Sequence, residues 1–250
     1  MTLEQFFQTH SRAAIAFSGG VDSAYLLYAA LRCGAQVKAY YVKTAYQPQF
    51  ELDDARRLAA ELGAEMPGLQ EDVLCREEVV TNPANRCYFC KKVLFRTITD
   101  AAKSDGFDLL LDGTNASDDA SDRPVMRALQ ELAVRSPLRE CGLTKAEIRE
   151  RSRKAGLFTW DKPAYACLAT RISTGERITR EKLARTEAAE GYLAGLGLRD
   201  FRVRSLGDTA KLQVTAADLR TVLENRERIL AALKTAYDGV LLDLEVRHEQ

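Results

Sequence analysis

The sequence predicts an α/β domain built on a parallel sheet, followed by a smaller α+β domain. Three observations carry that expectation. Short apolar runs alternate with stretches of helical period through the first part of the chain. Two of those runs end in glycine-containing turns, Ser18-Gly19-Gly20 and Asp112-Gly113-Thr114-Asn115. Beyond about residue 160 the order becomes helix, two alternating strands, helix and strand. The expected domains are residues 1–158 and residues 159–250.

Taken in order, Ala13-Ala14-Ile15-Ala16-Phe17 is a short apolar run before a tight turn, the pattern of a strand buried on both faces. Residues 22–32 place Leu26, Leu27, Ala30 and Leu31 at helical spacing, and Gly34 stops them. Residues 37–42 read as the next strand, and residues 50–62 as an amphipathic helix ended by Gly63. A helix over residues 91–103 and a buried strand over 108–111 follow. Thr144-Lys145-Ala146-Glu147 is a capping box that opens a helix ending near Gly156. The later part predicts a helix over 179–196, strands at 201–204 and 211–214 joined through Gly207-Asp208, a helix over 216–233 and a strand at 240–244. Strand–helix alternation implies right-handed crossovers, with ligands beyond the carboxyl ends of the strands. Both glycine turns sit at such ends.

Thirty-six basic residues balance thirty-six acidic ones. A protein that relies on many nucleic-acid phosphate contacts usually carries a basic excess, so no nucleic-acid partner is expected. The basic residues of 149–154 read as a solvated helix end. No apolar run reaches the roughly 20 residues that span a bilayer, and the first residues lack a signal-peptide pattern. The expected location is the cytoplasm, with no membrane partner. There, six cysteines are thiols rather than a disulfide framework.

Ser18-Gly19-Gly20-Val21-Asp22-Ser23 carries the clearest chemistry. Two glycines let the backbone turn its N–H groups toward an anion, and the helix that follows adds its dipole. Ser18 and Ser23 can donate to phosphate oxygens. Asp22 is an odd neighbour for an anion and reads as a helix cap or an indirect magnesium ligand. Asp112, Thr114 and Asn115 end a strand at the same crevice, where a plain turn is the alternative.

Cys87 and Cys90 form a C-x-x-C, which alone suits zinc, an iron–sulfur cluster or dithiol chemistry. The two histidines, His10 and His248, lie far from it in sequence. A third cysteine would suit a cluster held by three thiolates, and Cys167, near Thr170 and Arg171, is the candidate. Arg86 and Lys91 flank the pair and could neutralise phosphate, with plain surface solvation as the alternative. Arg202 and Arg204 alternate with Phe201 and Val203, which puts both guanidinium groups on one strand face, where a plain exposed face is the alternative to a phosphate site.

These motifs occur together and in order with Arg123-Pro124, Arg127-Ala128-Leu129 and Ser136-Pro137-Leu138. The hexad resembles the PP-loop of the N-type ATP pyrophosphatases, and the whole set is similar to the LarE family of sulfur-inserting enzymes. The resemblance implies a PP-loop domain that binds ATP and Mg2+ through Ser18, Gly19, Gly20, Asp22, Ser23, Asp112, Thr114, Asn115 and Arg123. It implies adenylation of pyridinium-3,5-biscarboxylic acid mononucleotide and its conversion to a thiocarboxylate in nickel-pincer nucleotide synthesis. Cys87, Cys90 and Cys167 would then hold a 4Fe–4S cluster, with Lys91 beside them as a catalytic candidate. Thr170, Arg171, Glu190, Arg202 and Arg204 would bind the nucleotide substrate. The resemblance also implies a homo-oligomer and a sulfide donor protein. A PP-loop tRNA thiolase and a nucleotide-sensing module with a structural metal are the alternatives.

Overall fold

The computed structural model describes residues 1–118 and 123–247. The chain forms two compact units, Met1–Val73 with Asn85–Lys162, and Leu74–Ala84 with Pro163–Gln250.

The first unit opens with α1 (Leu3–Thr9) and β1 (Arg12–Ala16), then α2 (Val21–Arg32), β2 (Gln36–Lys43), α3 (Gln49–Glu61) and β3 (Gly68–Gln70). After α4 (Glu77–Val80), which belongs to the second unit, come α5 (Arg86–Ser104), β4 (Leu110–Leu111), α6 (Arg123–Glu131), α7 (Pro137–Glu140) and α8 (Lys145–Lys154). The sheet order is β3-β2-β1-β4 and every pairing is parallel, as the alternating pattern predicts.

Strand β1 explains its own composition. Ala13 and Ile15 enter a core with Phe6, Leu26, Leu27, Leu58 and Ile148, while Ala14 enters a second core with Phe95, Ile98 and Leu129. Strand β2 divides the same way, Ala39 and Tyr41 to the first core and Tyr40 and Val42 to the second. A strand covered on both faces has no polar side to show, so it reads as an unbroken apolar run. Because β1 lies between β2 and β4, the turns leaving β1 and β4 emerge side by side.

Helix α5 begins five residues before its expected start. The apolar stripe that signals it (Phe95, Ile98, Ala102) comes later, whereas its first turns carry Cys87 and Cys90 and, apart from the buried Arg86, are only half-buried or exposed. The C-x-x-C is therefore helical rather than in a loop.

The second unit holds α9 (Arg180–Gly195), β5 (Arg202–Leu206), β6 (Thr209–Gln213), α10 (Leu219–Glu224), α11 (Arg226–Leu233) and β7 (Gly239–Leu242). Strands β5 and β6 form the expected antiparallel hairpin, and β7 adds in parallel beside β6. Leu193, Phe201, Val203, Leu212, Ile229 and Leu233 form its core. The helix expected over 216–233 is two helices meeting at Asn225, whose amide donates to the Thr221 carbonyl at 2.9 Å. An Asn side chain competing for backbone carbonyls favours that break. Asn82 adopts φ +54° and donates to the carbonyls of Ile172 and Ser173, while its own carbonyl accepts from Gly175 at 2.8 Å. These bonds attach the α4 segment to the second unit. Among the described residues no helix is long and apolar enough to cross a membrane.

The capping box on α8 forms as read from sequence: the Thr144 hydroxyl accepts from the Glu147 N–H, and Glu147 accepts from the Thr144 N–H at 2.9 Å. Thr144→Ala is expected to cost about 1 kcal/mol, which calorimetry should record as a fall in Tm of roughly 2–4 °C for a chain of this size.

Candidate functional site

In the first unit the turn after β1 is bound by its own hydroxyls. Ser18 N–H donates to Ser23 Oγ at 3.3 Å, Gly20 N–H donates to Ser18 Oγ at 3.3 Å, and Ser23 Oγ donates to the Gly20 carbonyl at 3.2 Å. The two serine hydroxyls are 3.1 Å apart. Gly19 sits at φ +72°, and a Cβ there would fall 2.9 Å from Ala55 Cβ on α3, so both backbone conformation and space require glycine. Gly20 occupies the N-cap position of α2 without a side-chain cap. The helix thus presents N–H groups and the positive end of its dipole to the turn, a site that favours an anion.

The turn after β4 is pressed against this one. A Cβ on Gly113 would meet the backbone N of Ser23 at 2.9 Å and its Cα at 3.2 Å. Asp112 commits both carboxylate oxygens to protein donors, accepting from Ser136 Oγ ahead of α7 at 2.6 Å and from Thr114 Oγ1 within the turn at 2.5 Å. Asn115 is fully buried; its amide donates to Asp22 Oδ1 at 3.3 Å, and its Oδ1 accepts from Ser117 N–H at 2.8 Å. The side chain of Arg123 lies outside the described residues.

Asp22 is not the cap of α2. It lies in the first turn with its carboxylate paired to Lys145 of α8. Burial raises its pKa above the ordinary carboxylate value, and Lys145 is the strongest influence pulling the other way. A carboxylate beside an anion cradle repels a bare polyphosphate and accepts one bridged by a divalent cation. The arrangement therefore suits Mg2+ and ATP together.

At the start of α5, Arg86 is buried and its Nη2 lies 3.6 Å from Cys87 Sγ. Cys87 is exposed and Cys90 half-buried, one helical turn apart. The Lys91 ammonium stands 5.7 Å from the Phe95 ring centroid. Glu131 of α6 accepts from Tyr88, from Lys92 at 2.9 Å and from Arg127 at 2.7 Å, which ties this helix to its neighbour. Thiol donors at this spacing are of the right type for zinc or an iron–sulfur cluster. Among the described residues, however, no three His, Cys, Asp or Glu side chains are gathered for a metal ion. His10 is engaged with the Phe6 carbonyl and Arg135, and His248 lies outside the described residues.

Cys167 belongs to the second unit, at the N-cap position of a 3-10 turn over Leu168–Arg171. Its carbonyl accepts from Thr170 N–H at 2.9 Å and Thr170 Oγ1 at 2.8 Å. Arg171, only 1% exposed, makes a two-point pair with Glu190 at 2.8 and 3.1 Å. Glu190 also accepts from Val203 N–H at 2.9 Å and from the Tyr165 hydroxyl. Its oxygens are therefore committed to protein donors, and it acts here by holding Arg171.

Arg202 and Arg204 are not an exposed strand face. Arg202 is buried and donates to the carbonyls of Phe201 and Ala164, while Arg204 donates to Gln213 Oε1 at 2.9 Å and the Thr170 carbonyl at 2.6 Å. Burial, then repulsion from Arg171 and Arg247, pulls the Arg202 pKa down to about 10, and the same causes depress Arg204. Four guanidinium groups (Arg171, Arg202, Arg204, Arg247) face two carboxylates, Glu190 and Asp200. The excess is positive, which suits an anionic ligand.

No family model matches the chain. It is 38% identical to an uncharacterized protein of Synechocystis sp. over 97% of this chain and 92% of the relative. It is 31% identical to the pyridinium-3,5-bisthiocarboxylic acid mononucleotide synthase of Lactiplantibacillus plantarum, over 97% of this chain and 89% of that protein. The chain belongs to the PP-loop ATP pyrophosphatases and is related to their LarE-type members. A tRNA-specific 2-thiouridylase of Thermotoga petrophila is 29% identical over 45% of this chain and 38% of its own length.

As a PP-loop protein the chain has an ATP-dependent activity of the sulfurtransferase type. Two residues that contact these turns, Lys145 and Ser136, carry little signal in the sequence. Lys145 was legible only as the second residue of a capping box, although a cation at a helix N-terminus runs against the dipole. Ser136, which orients Asp112, sits in a Ser-Pro-Leu with no chemical signal of its own.

Two outcomes follow from this geometry. Gly113→Ala must separate the turn from α2, so it should cost roughly 1–3 kcal/mol of stability and weaken ATP binding in a calorimetric titration. Lys92, Tyr88 and Arg127 hold the Glu131 pKa down to about 2. The folded value is depressed, so this contribution is present above the ordinary glutamate range near 4.3 and is lost as pH falls toward 2. Glu131→Gln should flatten the pH dependence of Tm across that window.

Proposed function

We propose that this LarE-related protein is an ATP-dependent sulfur transferase acting on pyridinium-3,5-biscarboxylic acid mononucleotide. One observation carries the reading above the others: the identity to the Lactiplantibacillus plantarum synthase extends over 97% of the chain and so runs through both units. The relationship to 2-thiouridylases covers less than half of the chain.

In the proposed reaction a substrate carboxylate oxygen attacks the α-phosphorus of ATP, and the bond to the β-phosphate bridging oxygen breaks. Pyrophosphate leaves with that electron pair, held by the N–H groups and hydroxyls of Ser18, Gly19, Gly20 and Ser23. Asp22 orients the magnesium–phosphate complex. Thr114, Asn115 and Arg123 border the nucleotide, with Asp112 fixing the turn. Sulfide then attacks the acyl carbon, the carbon–oxygen bond breaks, and AMP departs as the anion, leaving a thiocarboxylate. Adenylation is needed because a bare carboxylate has no adequate leaving group. Arg202 and Arg204, with Thr170 and Arg171, bind the substrate phosphate, and Glu190 positions Arg171. Lys91 and Arg86 supply positive charge beside the cysteines.

We further propose that Cys87, Cys90 and Cys167 are the thiolate ligands of a 4Fe–4S cluster. When bound, such a cluster would supply a renewable sulfide at an iron without a cysteine ligand. The support is the donor type, the one-turn spacing of Cys87 and Cys90, and the commitment of His10 elsewhere. A homo-oligomer in the cytoplasm, served by a sulfide donor protein, completes the reading.

The test is anaerobic reaction of reconstituted protein with Mg-ATP, a sulfide source and the biscarboxylate mononucleotide. Pyrophosphate release with oxygen-for-sulfur exchange in the product mass is the expected result. Nucleotide binding with an untouched mononucleotide, and thiolation of tRNA instead, would replace this reading with the tRNA thiolase. Cys87→Ala should lose iron and repeated turnover while still binding ATP; full turnover without iron would remove the cluster.

A further inference from the structure

The Asp22–Lys145 pair has features that a structural salt bridge does not need. Lys145 is the first residue of α8, directly after the cap Thr144, so its cation stands at the helix end where the dipole disfavours it. Asp22 stands at the opposite kind of place, in the first turn of α2, inside the cradle formed by the Ser18–Ser23 turn. Each charge is partly open, with 35% of the Lys145 side chain and 21% of the Asp22 side chain exposed. Asp22 is the one side-chain partner of the Lys145 ammonium among the described residues.

A second cation on the same helix behaves differently. Arg149, one turn along α8, also exerts a positive field on Asp22. Its guanidinium is anchored to the carbonyls of Trp160 at 2.8 Å and Lys162 at 3.0 Å. Arg149 is therefore a fixed charge. Lys145 carries a compact ammonium on a flexible four-carbon stem with a single tether.

The remaining contacts of Asp22 also leave room for exchange. Asn115 donates to Oδ1, while Lys145 takes Oδ2. A magnesium ion, or a water of its coordination shell, that approached Oδ2 would compete with the Lys145 ammonium, because two cations in contact with one oxygen repel. A triphosphate bound at the Ser18–Ser23 turn, where the first turn of α2 carries Asp22, would offer the displaced ammonium a new partner.

We infer that Lys145 is an exchangeable counter-ion, a positioning residue that holds the Asp22 carboxylate until magnesium and nucleotide bind and then transfers its ammonium to the phosphates. The inference rests on the reading that the Ser18–Ser23 turn binds ATP with magnesium. It predicts two effects of opposite sign from one substitution. Without the ammonium, Asp22 should bind a divalent cation alone more tightly, because nothing competes for Oδ2. Nucleotide should bind more weakly, because the phosphates lose a donor.

The experiment compares the wild-type chain, Lys145→Gln and Lys145→Arg. Binding of Mn2+ alone is read from its electron paramagnetic resonance signal. Binding of the α,β-methylene analogue of ATP with Mg2+ is read by calorimetry. Lys145→Gln should gain affinity for Mn2+ and lose roughly 10- to 100-fold in affinity for the analogue, the loss of one charge-assisted hydrogen bond. Lys145→Arg should recover much of the analogue affinity. Loss of affinity for both ligands in Lys145→Gln, with a lowered Tm, would mark a merely structural pair and overturn the inference. Unchanged analogue binding would overturn it too. Wild-type protein that binds no analogue at any Mg2+ concentration would instead sink the ATP reading on which the inference rests.

Discussion

The nucleotide cradle depends on a backbone approach that admits no side chain: Gly113, at the end of β4, lies against Ser23 at the start of α2. That approach exists because β4 pairs directly with β1, which brings their carboxyl-terminal turns together. Once they touch, the rest is fixed in sequence. Asp112 is locked by Ser136 and Thr114, Asn115 reaches Asp22, and α8 delivers Lys145 to the same carboxylate. Groups far apart along the chain thereby act on one short turn.

The chemistry divides between neutral and charged devices. The turn itself offers backbone N–H groups and two hydroxyls, which carry no net charge and so do not depend on pH. Asp22 places a negative charge beside a turn that favours an anion, an arrangement that suits an anion accompanied by a cation. Under the proposed function this arrangement sets a partly buried carboxylate at the start of α2, and Lys145 offsets its charge in the free protein.

The second unit uses burial to the opposite end. Its arginines are withdrawn from water and crowd one another, so Arg202 is held below its ordinary pKa yet remains protonated at neutral pH. Glu190 keeps Arg171 in place through two parallel bonds, and removing either partner would strand a buried charge. An anion bound there would relieve repulsion that the folded protein maintains by itself. Exposed arginines, screened by solvent, would bind far less selectively.

What the sequence determined by itself was local. Apolar runs marked the strands β1 and β2, the Ser-Gly-Gly turn marked the nucleotide cradle, the alternation of residues 201–204 marked β5, and the capping box marked α8, because each is decided by neighbours in the chain. The parallel α/β domain and the smaller α+β unit followed from the order of such signals. The tertiary structure decided which side chains meet. It made Asp22 the partner of Lys145 rather than a cap, turned Glu190 toward Arg171, buried Arg202, and attached residues 74–84 to the second unit through Asn82. Those outcomes depend on contacts between residues 19 to 123 positions apart, and no local period or turn signal records a long-range pairing.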